Sequence, residues 1–95
     1  MVSCKELIYV KSEGHYLSYY LENRKTPLVE RHSLSKLLEK LEDCGFVRIH
    51  RSYIINTQKE KTVKSDRIIL KQSVDVPFSR SYKKRLKETH HPIMS

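Results

Sequence analysis

Apolar and polar positions along the chain change period twice, and each change marks a change of element. Leu7, Ile8, Tyr9 and Val10 form a short apolar run, which predicts a strand over Glu6–Lys11. Ser12-Glu13-Gly14-His15 reads as a turn, with Gly14 free to take positive φ. Tyr16–Glu22 reads as a second strand, rich in aromatics, and Asn23-Arg24-Lys25 as a hairpin turn. Thr26–Glu30 reads as a shorter third strand, which Pro27 marks as an edge. Leu34, Leu37, Leu38 and Leu41 then recur at i, i+3, i+4 and i+7, opposite Lys36, Glu39, Lys40 and Glu42. This is one face of an amphipathic helix, with Ser33 as its N-cap and Gly45 as its stop.

Beyond Gly45 the pattern returns to short strands. Phe46, Val47 and Ile49 lead into the polar triplet His50-Arg51-Ser52, and Tyr53–Asn56 follows. Lys59–Lys64 and Arg67–Lys71 read as a hairpin about Ser65-Asp66. Gln72-Ser73 is another turn, and Val74–Phe78 a last strand. From Ser79 the chain reads as a basic helix anchored by Tyr82 and Leu86. Short turns make the sheets antiparallel. The prediction is a mainly β fold with one amphipathic helix and a short basic C-terminal helix. A single domain is expected over 1–88, with a frayed tail over 89–95.

Charge narrows the function. Residues 1–45 carry seven basic and seven acidic side chains, whereas residues 46–95 carry twelve basic and four acidic ones. The whole net charge of +8 therefore lies in the second half. Such asymmetry points to a polyanionic partner, nucleic acid before an anionic membrane. No long apolar run or signal-peptide pattern is present, so a cytoplasmic domain without membrane contact is expected. Cys4 and Cys44 are too few for a disulfide scaffold and are read as reduced thiols. No ligand pair has zinc-finger spacing, so neither metal nor cofactor is expected.

Enzymatic signatures are lacking. The two glycines are isolated, and no Gly-x-Ser-x-Gly elbow occurs. Asp43, Asp66 and Asp75 fall at a helix end, a turn and a strand edge. A triad from Ser52, His50 and a distant Asp has nothing to position it. The basic half is more informative. In Phe46-Val47-Arg48-Ile49-His50-Arg51-Ser52-Tyr53-Ile54-Ile55-Asn56, apolar anchors alternate with cationic and polar groups. A rigid support suits an arginine that forks onto guanine O6 and N7. Val76-Pro77-Phe78-Ser79-Arg80-Ser81-Tyr82-Lys83-Lys84 repeats the arrangement, with lysines suited to phosphate.

These two segments resemble the central and C-terminal motifs of LytTR DNA-binding domains. Leu7-Ile8-Tyr9-Val10-x-Ser12-x-Gly14-x-Tyr16 is similar to that family's N-terminal hairpin. The three blocks span Leu7 to Leu86 in the family's order. The resemblance implies an elongated sandwich of small antiparallel sheets whose loops, rather than a recognition helix, enter the major groove. It implies base contacts at His15, Arg51 and Arg80. Arg48, Ser52, Ser81, Lys83 and Lys84 would then contact phosphate. It further implies the output half of a bacterial two-component response regulator, joined to an N-terminal receiver or other sensory domain. In isolation a monomer is expected, because the leucines of the helix are needed for the core.

Each assignment has a plainer counterpart. His15 would be a solvated turn residue, His50 a hydrogen-bonded organiser of its loop, and Asn56 a turn or capping residue. Tyr16, Tyr19 and Tyr20 would pack in the core or, alternatively, form a stacking platform for a single-stranded nucleic acid. Lys83, Lys84, Arg85 and Lys87 would be a solvated helix face. A basic protein-interaction module is the remaining alternative.

Overall fold

Strand β1 (Leu7–Glu13) lies at the centre of the larger sheet, flanked on one side by β2 (Tyr16–Leu21) and β3 (Leu28–Arg31). On the other side lie β5 (Tyr53–Asn56) and then β4 (Phe46–His50), giving the order β3-β2-β1-β5-β4. A second sheet has the order β6-β7-β8, from Lys61–Val63, Arg67–Leu70 and Val74–Pro77. Every strand pair is antiparallel, as the short turns require. Helix α1 (Leu34–Leu41) and a 3-10 turn (Glu42–Cys44) connect β3 to β4. These coordinates are a computed structural model, which describes residues 4–59, 61–70, 74–79 and 81–82.

The larger sheet is covered on both faces, which explains why its central strands read as unbroken apolar runs. One face packs Leu7, Val10, Leu17, Tyr19, Phe46 and Ile54 against Leu34 and Leu37 of α1. The other packs Ile8, Tyr9, Val47, Ile49 and Ile55 against Ile68, Leu70, Val76 and Phe78 of the smaller sheet and its exit. Ile8 and Tyr9 share a face although adjacent, because the β1–β2 register shifts between Leu7 and Tyr9. In β4, Val47 and Ile49 point to the small sheet. Period-two alternation therefore sends Arg48 to the α1 side with Phe46.

The helix begins and ends as its sequence predicts. Ser33 caps α1 by accepting from Lys36 N–H, and Gly45 takes the left-handed conformation at φ 85°. Several boundaries move. The first hairpin turn shrinks to Gly14-His15, because Ser12 and Glu13 pair with Leu17 and Tyr16. Gly14 makes that tight reversal at φ 62°. Strand β3 starts at Leu28 rather than Thr26, and β6 at Lys61 rather than Lys59. Gln72-Ser73 lies outside the described residues, and so does the basic C-terminal helix apart from Ser81 and Tyr82, which are helical.

One expectation needs correction. The cysteines are not separate thiols: Cys4 and Cys44 are joined as a disulfide, with Cα atoms 6.3 Å apart. The 3-10 turn after α1 carries Cys44 back to the start of the chain, a proximity that a separation of 40 residues conceals. The small sheet lies over the larger one, as a sandwich requires.

Candidate nucleic-acid interface

The polar triplet His50-Arg51-Ser52 closes the β4–β5 hairpin, and local bonds hold it rigid. His50 Nδ1 accepts from Ser52 N–H at 3.1 Å. Its ring meets Tyr53 edge-on, with centroids 5.6 Å apart. Burial, then the charges of Arg51 and Arg48, lower the pKa of His50 from its ordinary 6.5. The neutral ring suits its place, since a protonated Nδ1 could not accept from Ser52. His50 thus organises the loop. The carbonyl of Ser52 accepts from Ser12 N–H at 2.8 Å, which ties the loop to the end of β1.

Arg48 links three segments. Its guanidinium donates to Ser35 Oγ of α1 at 3.1 Å, to the Arg51 carbonyl and, at 3.4 Å, to the His50 carbonyl. It also lies 5.6 Å from the centroid of the Tyr82 ring, a cation–π contact with the C-terminal segment. Three of its five N–H donors are therefore occupied within the chain. The Arg51 side chain, by contrast, is exposed.

A cleft of about 480 Å³ opens beside this loop. His15 and Arg51 both line it, brought together from separate turns, and Arg48 lines it with them. Arg31 and His32, from the β3–α1 junction, complete its wall, and among the described residues no carboxylate side chain lines it. The sequence reading missed Arg31 and His32. Their signal was an arginine and a histidine directly before the Ser33 cap, within an otherwise charge-balanced half.

The second basic segment reaches the same end of the sheet. Ser79 N–H donates to the Ile49 carbonyl at 2.9 Å, and the hydroxyls of Ser79 and Ser81 lie 3.1 Å apart. Arg80, Lys83 and Lys84 lie outside the described residues. Ser52 is half-buried beside His50, and Ser81 is exposed. Asn56 is the buried last residue of β5 rather than a turn residue, with Nδ2 donating to the carbonyls of Cys4 and Leu7 and Oδ1 accepting from Gln58 N–H in the turn that follows. Tyr19 is buried and bonds Glu30, while Tyr20 stacks on Tyr9 with centroids 4.3 Å apart. Tyr16 alone of the three is exposed, so they form no common platform.

Among the described residues no group of three or more His, Cys, Asp or Glu side chains could hold a metal ion. No described helix is long and apolar enough to cross a membrane.

Known proteins share this architecture. The chain is 28% identical over 96 residues to the sensory transduction protein LytT of Bacillus subtilis strain 168. It is 38% identical over 68 residues to an uncharacterized response regulatory protein of Vibrio cholerae serotype O1. These alignments cover 96% and 70% of the chain but 39% and 26% of the relatives. Its fold matches the LytTr DNA-binding domain of a Bacillus cereus protein described as a methyl-accepting/DNA response regulator. That match has a TM-score of 0.81 at 22% identity, covering 92% of this chain and 83% of the other. The LytTr DNA-binding domain family, one of DNA-binding domains rather than enzymes, matches residues 1–91, and the chain belongs to it.

Proposed function

We propose that this domain binds duplex DNA sequence-specifically, with its loops in the major groove, as the output of a bacterial response regulator. One observation carries the reading: His15 and Arg51, from separate turns, line a single arginine-rich cleft in which no described residue contributes a carboxylate side chain. Loops so placed suit a groove with base edges on its floor and phosphates on its rims. In this reading His15, Arg51 and Arg80 contact bases. Ser52, Ser81, Lys83 and Lys84 contact phosphate. Arg48 steadies the loop and offers its two remaining N–H donors to phosphate. A single-stranded ligand is disfavoured, because Tyr19 and Tyr20 serve packing.

Input comes from a receiver or other sensory domain elsewhere in the full-length protein. Its relatives include a response regulatory protein, and the chain spans less than half of either curated relative. The domain alone is a monomer, because the buried leucines of α1 face the sheet. A stable dimer in sedimentation at micromolar concentration, without DNA, would refute this.

The decisive test is a titration of Arg51→Ala and Arg80→Ala against a duplex selected from a random pool and against its scrambled counterpart. Each variant is predicted to lose roughly 1–3 kcal/mol on the selected duplex and much less on the scrambled one. Lys83→Ala should weaken both about equally. Equal losses on both duplexes for the arginine variants would make them phosphate clamps.

A further inference from the structure

We propose that Arg31 and His32, at the β3–α1 junction, clamp one DNA backbone phosphate in the cleft that His15 and Arg51 also line. This inference rests on the DNA-binding reading above and adds residues from the charge-balanced half of the chain.

Arg31 ends the edge strand β3, opposite Tyr16, and is exposed. Among the described residues its guanidinium has no ion-pair partner. The nearby acids are engaged elsewhere: Glu30 takes the Tyr19 hydroxyl, and Glu13 pairs with Lys11 at 3.5 Å. Arg31 is therefore a strong donor set awaiting an anion. His32 is half-buried, and its Nδ1 accepts from Ser33 N–H at 2.9 Å. That bond leaves Nε2 to carry the proton in the neutral ring, so His32 donates whatever its charge.

The remaining wall is of the same character. Ser35 receives Arg48 on its oxygen and keeps its own O–H to donate. Arg51 adds a second exposed guanidinium. A concave site with three guanidinium-bearing walls, an imidazole donor, hydroxyls and, among the described residues, no carboxylate in its lining selects an oxyanion. His15 and Arg51 share the cleft, so the anion that fits this geometry is a phosphodiester of the strand they read. Held there, the phosphate sets the depth and register at which those two side chains meet the bases.

The test uses the full chain and a duplex selected from a random pool, with single phosphates replaced in turn by neutral methylphosphonates. One replacement should lower wild-type affinity roughly tenfold. Arg31→Ala should lower affinity for the unmodified duplex by a similar factor and be insensitive to that one replacement. Its salt slope should fall by about one, with equal losses on selected and scrambled DNA. Arg31→Lys should retain most of the affinity, and His32→Ala should show a smaller loss at the same phosphate. Since Arg31 is exposed on an edge strand, these variants leave the core intact.

If Arg31→Ala bound like wild type, or stayed sensitive to every replacement, while Arg51→Ala still lost discrimination, the clamp would be refuted and the DNA reading would stand. If inorganic phosphate bound wild type but not Arg31→Ala, and their DNA affinities were equal, the cleft would be a free-anion site and the proposal would be overturned. Failure of wild type to prefer any duplex would remove both.

Discussion

Arg48 and His50 show how a single side chain acquires a role that its type does not announce. Both stand in a basic segment that suggests contact with DNA. Arg48 instead bonds Ser35 and the backbone of its own hairpin, and His50 takes the Ser52 N–H. The sequence left the place of His50 open, because its acceptor role depends on a loop geometry that residue types do not specify. The depressed pKa of His50 has a measurable consequence. The neutral ring is favoured in the fold, so its contribution to stability is complete above the ordinary value near 6.5. That contribution is lost as pH falls from there through the lower folded value. We predict that the melting temperature declines on acidification from about pH 7 to pH 5, and less so in His50→Asn, which offers an acceptor that does not titrate. Parallel melting curves for the two proteins across this window would disprove the assignment.

Among the elements, β5 does the most to organise the fold. It bridges β1 and β4, and its Ile54 and Ile55 enter opposite cores. The pattern Tyr53-Ile54-Ile55-Asn56 made the strand legible, but not its partner β1, which lies more than forty residues earlier in the chain. Asn56 secures that partnership. It is 2% exposed, donates to the carbonyls of Cys4 and Leu7, and accepts from Gln58 N–H at 3.0 Å. Alanine there would leave buried polar groups unpaired. We predict that Asn56→Ala costs roughly 2–4 kcal/mol in urea denaturation. A loss near zero would mean that water or backbone movement replaces these bonds.

Taken together, two stacked sheets and a helix bring His15, Arg31, Arg48 and Arg51 to one cleft. On the helix side of the larger sheet, the turn after α1 brings Cys44 to Cys4. Opening this cross-link in mild reductant should lower stability by about 2–4 kcal/mol, relative to a Cys4→Ser/Cys44→Ser control that reductant leaves unchanged. Identical thermal unfolding with and without reductant would show that the link carries no stability. The cationic end has a second consequence. With Arg31, Arg48, Lys83 and Lys84 proposed to contact phosphates, log K should fall against log salt with a slope of roughly −3 to −4. Fluorescence anisotropy at several salt concentrations measures it, and affinity insensitive to salt would contradict the proposed interface.

Periodicity carried the elements. The leucine spacing of α1, its Ser33 cap and the Gly45 stop are local properties, readable because helix and strand impose different repeats on a buried face. The charge division between the halves was readable for the same reason, since it needs only a count along the chain. The strand order β3-β2-β1-β5-β4, the Cys4–Cys44 link and the meeting of Arg31 with Arg51 in one cleft were not. Each joins residues distant in sequence, and packing two sheets and a helix around a shared central strand is what brings them into contact.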